Sequence, residues 1–222
     1  LLAEKRQNLL VAICPLNPKQ PEAEYAISSL ELSSGRFWLT KAHSSEQLAA
    51  EMQRLEPAEL LYPESISLAG LPLAKAKCKR RPAWEFEQQT AFMLLPRQFG
   101  TQHLEGFGIK NNEPTLAAAG AILHYVKETQ RAALPHIQAL ITEHPQDAII
   151  LDAATRRNLE LQQSMGEGDT HLSAVLDKTV SAMGSRQFQR WLQRPIRNHQ
   201  ELNQRYDAVD ALKENLNLIL IK

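Results

Sequence analysis

The sequence predicts an α/β domain with a partly parallel sheet, followed by a region that is almost entirely helical. Strand-like and helix-like segments alternate up to about residue 147, and nearly every later segment shows helical periodicity or a capping residue. A chain of 222 residues is long enough for two ordinary domains. We therefore expect a first domain at 1–133, a linker at 134–147 and an incomplete all-α domain at 148–222.

The first predicted elements are strands. Asn8 to Cys14 is a short apolar run followed by a proline, which is typical of a buried strand. Tyr25 to Glu31 alternates, Arg36 to Thr40 is aromatic-rich, and the Ser33-Ser34-Gly35 link between them predicts a hairpin. Leu60 to Tyr62 predicts a further short strand.

A capped helix is predicted between the hairpin and that last strand. Ser44 offers an N-cap hydroxyl, and Gln47 stands three residues later, where its side chain can reach back. Leu48, Met52 and Leu55 then recur at helical spacing, which indicates one buried face.

Two more helices are predicted in the first domain. The segment that leads to Pro82 is expected to be irregular, and Ala83 to Gln98 is helix-like, although Pro96 should end or kink it early. Leu116 to Arg131 is a strong helix, and the small residues around Gly120 permit close packing against a neighbour.

The second domain begins with the segment Leu151 to Leu161, which has the pattern of a helix capped by Asp152. Thr170 can cap a short helix that runs to Leu176, and Ala182 to Gln193 predicts another that stops before a proline. Asn198 then starts a capping-box pattern for the last predicted helix.

Composition limits the possible classes of function. Basic and acidic residues number 25 each, whereas a domain that held DNA by itself would show a basic excess, so we expect no autonomous DNA binding. Cys14 and Cys78 form no CxxC pair, which is typical of thiols in a reducing compartment. Since no apolar run approaches the roughly 18 residues of a membrane span, we expect a cytoplasmic protein that makes no membrane contact.

Catalytic and metal sites are not expected in this chain. The order of strand, hairpin and helix is similar to ribonuclease H-like domains, whose metal-dependent members carry an acidic residue on the first strand. Asn8 to Cys14 has no acid, and Glu24 and Glu31 are more typical of solvated strand edges. A metal-dependent nuclease that uses Glu24 or Glu31 remains the alternative prediction, and the glycines around Phe107 lack the spacing of a phosphate loop.

Two groups of basic residues are candidates for contacts. One is a cluster of positive charges, for which two interpretations are open. It contacts a phosphate backbone or an acidic partner surface, or it is a solvated loop without such a contact. Its members are Lys75, Lys77, Lys79, Arg80 and Arg81.

The other group is the pair Arg156 and Arg157, whose side chains point about 100° apart on a helix and so cannot bind one ligand together. We expect Asp152, Arg156 and Arg157 to have structural roles at the domain junction, through an ion pair or a carbonyl contact.

Seven stretches of the chain, in the same order, resemble bacterial MutS proteins of DNA mismatch repair. They are Arg81-Pro82-Ala83-Trp84-Glu85-Phe86-Glu87, Gln98-Phe99-Gly100-Thr101, Gly106-Phe107-Gly108, Thr129-Gln130-Arg131, Leu134-Pro135-His136-Ile137, Leu151 to Leu161, and Met183-Gly184-Ser185-Arg186. The resemblance implies a connector domain, which is ribonuclease H-like without nuclease activity, followed by the first helices of the core or lever domain.

Further expectations follow from that resemblance. Members of the family read mismatched DNA with a Phe-Xaa-Glu motif and hydrolyse ATP with Mg²⁺ in a P-loop domain, and neither motif occurs in this chain. We therefore expect a middle piece of a longer, homodimeric protein that is not itself an enzyme and binds no cofactor. In the family the connector contributes to contact with MutL, and the lever helices carry conformational change.

The MutL-facing surface is predicted on the helix from Glu87 to Gln98. The candidate residues are Gln88, Gln89, Phe92, Met93 and Arg97. Core packing is the alternative for apolar residues here, namely Phe86, Met93 and Leu94, and an exposed Phe92 or Met93 would favour a protein-binding face. An interaction module that binds its partner without flanking domains is a further alternative for the whole chain.

Overall fold

A computed structural model gives the architecture of the chain. The residues that it describes are 8–17, 19–20, 24–110, 113–130, 134–161, 164–166 and 170–214.

The first part of the chain forms a mixed six-stranded sheet. Its strands are β1 (Leu9–Pro15), β2 (Tyr25–Glu31), β3 (Arg36–Ala42), β4 (Glu59–Pro63), β5 (Lys77–Arg81) and β6 (Ile141–Thr142). Their order across the sheet is β5-β4-β1-β2-β3-β6. The central strands β1, β2 and β3 are antiparallel, whereas β4, β5 and β6 add in parallel at the two sides. The predicted hairpin and the partly parallel sheet are thus confirmed.

Helices follow the strands and cover both faces of the sheet. They are α1 (Ser45–Leu55), α2 (Gln88–Phe99), α3 (Leu116–Gln130), α4 (Ala153–Asn158), α5 (Leu172–Leu176), α6 (Ala182–Gln193) and α7 (His199–Glu214). Short 3₁₀ turns lie at Ala83–Phe86, Glu105–Phe107 and Pro145–Asp147.

The alternation of β1 explains how one strand serves two cores. Leu10 and Ala12 point into a cluster shared with α2 and α3, whereas Leu9, Val11 and Ile13 point into a second cluster with α1. Every residue of β1 except the last is buried, because helices cover the sheet on both faces.

The predicted capped helix is confirmed as α1. The Ser44 hydroxyl accepts from the Gln47 amide, and the Gln47 side chain accepts from the amide of His43, the residue before the cap. Leu48, Met52 and Leu55 are buried as expected.

Two predictions for the segment around Pro82 are wrong. The stretch expected to be irregular contains strand β5, which pairs with β4. The helix expected from Ala83 is interrupted at Glu87, after the 3₁₀ turn, and its main part runs on past Pro96 to Phe99. Pro96 lies in the last turn and therefore removes only one hydrogen bond, and the helix ends instead at Gly100, whose φ is +65°.

α2 and α3 pack closely through small residues, as the sequence predicts. A Cβ atom at Gly120 would lie 2.7 Å from the Cβ and 2.8 Å from the Cα of Ala91. The helix α3 ends at Gln130 within the described residues, and Arg131 lies outside them.

The later part of the chain is helical, as predicted. Asp152 caps α4 by accepting from the Thr155 amide at 2.6 Å. His171, rather than Thr170, caps α5, because its Nδ1 accepts from the Ala174 amide. The segment 134–147 adds β6 to the sheet edge before it reaches these helices. Among the described helices, none has the length and hydrophobicity that crossing a bilayer requires.

Candidate functional site

The outward side of α2 carries three of the five residues predicted to face MutL. Ala91 and Leu95 are buried against the core, so at about 100° per residue the opposite side of the helix presents Gln89, Met93 and Arg97. All three are exposed, and Met93 is 63% exposed. We call Gln89, Met93 and Arg97 the outer stripe of α2. Core packing, the alternative prediction for Met93, is therefore wrong.

The other two candidates are turned toward the core. Phe92 is half-buried and packs against the cluster that lies under α2. Gln88 is half-buried, and its Nε2 atom is buried without a hydrogen-bond partner in the described part of the chain. Phe86 and Leu94 also pack against this cluster, as their core assignment predicts. The structure therefore does not bring all five predicted residues onto one exposed surface.

The basic cluster forms an edge strand and its approach rather than a solvated loop. Two of its members are ion-paired. Lys79 pairs with Glu59 of β4 at 2.6 Å, and Arg81 pairs with Glu85 of the 3₁₀ turn before α2 at 2.8 Å. Lys75, Lys77 and Arg80 are exposed and have no ion pair within the described ranges. These three of the five charges are therefore available for contacts. Lysines on an open sheet edge also discourage pairing of that edge with another chain.

Glu85 explains why Arg81 is held in place. Both Arg81 Nε and Nη2 donate to the Glu85 carboxylate at 2.8 Å, in the two-pronged geometry that guanidinium and carboxylate groups favour. Glu85 is 1% exposed, and its carboxylate, against the opposing effect of burial, raises the pKa of Arg81. This ion pair links the edge strand to the turn before α2.

A second buried carboxylate joins the sheet to the helical region. Glu31 ends β2 and is 1% exposed. Its oxygens lie 3.5 Å from Arg186 Nε and 3.7 Å from Arg190 Nη1, both on α6, and Ser34 donates to it at 2.7 Å. The prediction that Glu31 is a solvated edge residue is therefore wrong, because the side chains of Arg186 and Arg190 reach its carboxylate.

Glu143, just after β6, makes the matching contact at the far side of the sheet. It lies 3.2 Å from Arg54 of α1 and 3.5 Å from Arg194, the C-cap residue of α6. Burial lowers the pKa of Arg54, but the carboxylates of Glu51 and Glu143 outweigh this and hold the pKa above its usual range. We call Glu31, Glu143, Arg186, Arg190 and Arg194 the sheet–helix interface.

Arg156 lies beside this interface. Its Nε donates to the carbonyl of Leu151 at 3.0 Å, and Nη1 is buried without a partner in the described part of the chain. Burial, together with the nearby Arg54 guanidinium, lowers the pKa of Arg156 to about 10. Arg157 is exposed, so the two neighbouring arginines face different surroundings.

Neither strand carboxylate of the alternative nuclease prediction is arranged as a metal ligand. Glu24 pairs with Lys41 at 3.3 Å and with His43 at 2.9 Å, and these hydrogen bonds lower its pKa. Glu31 faces arginines. Within the described ranges, no three histidine, cysteine or acidic side chains gather as a metal site would require.

The sheet–helix interface was not predicted as a site. Arg186, Arg190 and Arg194 recur every four residues, so they share one face of a helix. That spacing could have predicted an ion-pairing face on α6. It does not predict which carboxylates would pair with these arginines.

Comparison with protein-family models gives two matches. Residues 8–138 match the model of MutS domain II, and residues 154–220 match the model of MutS domain III. The first match covers more than half of the chain and includes the sheet from β1 to β5 with α1, α2 and α3. The second begins inside α4 and includes α5, α6 and α7.

Proposed function

The chain belongs to the MutS family of DNA mismatch-repair proteins, and we propose that it links the mismatch-binding domain of such a protein to its lever and ATPase domains. In this proposal the chain carries conformational change between those domains and takes no catalytic part itself. Other domains of a homodimeric protein bind mismatched DNA and hydrolyse ATP with Mg²⁺.

The sheet–helix interface is the observation that supports this proposal. Glu31 pairs with two arginines of α6, and Glu143 pairs with Arg194, the residue that caps the end of this helix. The two carboxylates stand at the ends of different strands. A tilt of α6 relative to the sheet would lengthen these ion pairs, and buried charges that lose their partners are strongly unfavourable. Such an interface favours discrete arrangements over gradual deformation.

The expected energy is sufficient for coupling. Two unit charges about 4 Å apart attract by about 4 kcal/mol at an effective dielectric constant of 20. Arg186 and Arg190 keep about a fifth of their side-chain surface in water, so the net loss on removing Glu31 should fall to about 2 kcal/mol. Coupling energies between sites in allosteric proteins are typically about 1–3 kcal/mol.

Hydrogen exchange of α6 amides tests this role for Glu31. Glu31→Gln keeps the shape of the side chain but removes its charge, and we expect the α6 amides to exchange roughly tenfold faster or more. Glu64→Gln is the matched control, since Glu64 is exposed and unpaired within the described ranges. In Glu31→Gln/Arg190→Gln, exchange should be little faster than in Glu31→Gln.

The result that would contradict the linking role is specific. If Glu31→Gln leaves exchange of α6 unchanged and only loosens β2 and β3, Glu31 stabilises the sheet alone. Conformational change would then have to pass through other contacts.

We also propose that the outer stripe of α2 contributes to a MutL-docking face. An exposed methionine flanked by a glutamine and an arginine offers a polarizable apolar centre with polar neighbours, which is a common composition of protein-binding surfaces. Met93→Asp should weaken MutL binding at least tenfold. Met183→Asp is the matched control, because Met183 of α6 is likewise exposed, by 74%.

Cross-linking gives an independent test of the docking face. Cross-linkers placed at Gln88, Gln89 and Arg97 of the full-length protein should capture MutL, and Gln89 and Arg97 should react more than the half-buried Gln88. Absence of cross-links from all three positions would refute the docking role.

A further inference from the structure

A cleft of about 550 Å³ opens between β3, the segment after β6, and the helices α6 and α7. Its volume lies within the range of about 300–1,000 Å³ that is usual for small-molecule sites. Arginines dominate its walls. They are Arg36, Arg54, Arg190, Arg194, Arg197 and Arg205. Three carboxylates also line the cleft, those of Glu143, Asp147 and Glu201, which leaves a formal excess of three positive charges.

The ion pairs of the cleft identify which arginines are already engaged. Glu143 holds Arg54 and Arg194, and Glu201 holds Arg205 at 2.6 Å. The remaining carboxylate, on Asp147, is exposed and has no ion pair in the described part of the chain.

Three arginines keep binding capacity. Arg36 and Arg197 have no carboxylate within 4 Å among the described residues. Arg190 lies 3.7 Å from Glu31, which also pairs with Arg186. Its Nη2 donates to Gln187, which leaves its Nε without a partner in the described part of the chain. The positive charge of the cleft is therefore concentrated on Arg36, Arg190 and Arg197.

The unsatisfied polar atoms that line the cleft are donors. Trp38 is 6% exposed, and its indole N–H is buried without an acceptor in the described part of the chain. The same holds for Nε of Arg190. Burial and the neighbouring Arg36 lower the pKa of Arg190. Buried donors normally have partners, so these two donors favour a ligand with acceptor oxygens and negative charge.

We propose that this cleft binds a compact phosphate-bearing anion between Arg36, Arg190 and Arg197. A guanidinium group donates two parallel hydrogen bonds to phosphate oxygens, and a ligand with several negative charges matches the excess of three positive charges. Trp191 also lines the cleft and is exposed. The guanidinium carbon of Arg205 lies 4.4 Å from the centroid of its ring. This site shares Arg190 with the sheet–helix interface. It does not rest on the proposed linking role, and the variants that test it, at Arg36 and Arg197, leave the ion pairs of that interface in place.

Calorimetric titration of the purified 222-residue chain with sodium tripolyphosphate tests the proposal. We expect saturable binding of one anion per chain, weakened at least tenfold in Arg36→Gln/Arg197→Gln. The matched control is Lys75→Gln/Lys77→Gln, which removes the same charge from exposed positions outside the cleft and should change affinity less than twofold. Arg36→Lys/Arg197→Lys should recover only part of the binding, because lysine keeps the positive charge but cannot donate two parallel hydrogen bonds.

Competition experiments identify the source of the phosphate. If a single-stranded oligonucleotide displaces tripolyphosphate, the natural ligand is the phosphate of a nucleic acid. If the oligonucleotide fails to displace it, the natural ligand is a free polyphosphate compound. Both outcomes support the site. Absence of saturable binding, equal weakening in the lysine control, or stronger competition by an oligoglutamate peptide would overturn it. If the glutamine variant unfolds, the lysine variant alone decides. Weaker binding than in the unmodified chain would support the site, and unchanged binding would overturn it.

Discussion

The contact between Gly120 and Ala91 determines how closely α2 can approach α3, and it is tested by Gly120→Ala. The new Cβ would lie 2.7 and 2.8 Å from two atoms of Ala91, whereas ordinary contacts begin near 3.4 Å. One of these atoms is a backbone Cα, so the two helices would have to separate by roughly 0.6 Å in a close-packed interior.

The expected energy of Gly120→Ala combines two opposing effects. Overpacking of this kind destabilises a core by about 1–3 kcal/mol, and replacing glycine inside a helix stabilises by about 1 kcal/mol. We therefore expect a net loss of about 1 kcal/mol, which lowers the melting temperature by roughly 2–4 °C in a chain of this size.

Urea unfolding monitored by circular dichroism measures this loss. Gly106→Ala is the control, since a Cβ there would meet nothing within 4 Å, and its stability should be nearly unchanged. Ala91→Gly should reduce the penalty of Gly120→Ala, with a coupling energy of about 0.5–3 kcal/mol. A Gly120→Ala variant as stable as the unmodified chain, or the absence of coupling, would refute the argument from close approach.

Two further predictions concern stability and pH. Ser44→Ala removes the acceptor of the Gln47 amide at 3.2 Å and should lower the free energy of unfolding by about 1 kcal/mol. The control is Ser33→Ala, which lies in an exposed turn and should change the free energy of unfolding little. Equal effects of the two variants in urea titrations would contradict the capping role. Burial raises the pKa of the Cys14 thiol from 9.0 to about 12, so above pH 9 the unfolded chain binds fewer protons at this thiol than the folded chain does. Its contribution to stability is full below about pH 9 and is lost as the pH rises to about 12, with a slope of at most about 1.4 kcal/mol per pH unit. Cys14→Ala should remove that part of the pH dependence and Cys78→Ala should keep it; parallel pH profiles for both variants would show that the buried thiol does not titrate on unfolding.

Local chemistry accounts for the elements that were predicted well. The cap and apolar spacing of α1 lie within twelve residues, from Ser44 to Leu55, and the hairpin of β2 and β3 has its turn residues between its strands. These patterns involve hydrogen bonds and burial between near neighbours in sequence.

The two edge strands were missed for the opposite reason. β5 consists mostly of exposed basic residues and has no alternating apolar pattern, and β6 has two residues. Each becomes a strand because a neighbouring strand, β4 or β3, offers unpaired backbone groups. Their own residues do not predict this pairing.

The candidate sites divide in the same way. The family, its two domains and the helix that carries the outer stripe are evident from short motifs and helical periodicity. Which residues of α2 face outward depended on Ala91 packing against Gly120, a contact between separate helices.

By itself, the sequence determined the fold class, the membership of the MutS family and the capped helices, because these follow from local patterns and characteristic motifs. Only the tertiary structure decided that Glu31 is buried beneath Arg186 and Arg190. The same holds for the cleft that Trp38 shares with Arg36 and Arg197, which have no ion pair within the described ranges. The physical reason is that burial and charge compensation depend on residues far apart in the chain, and their positions are known only after the sheet and α6 have packed together.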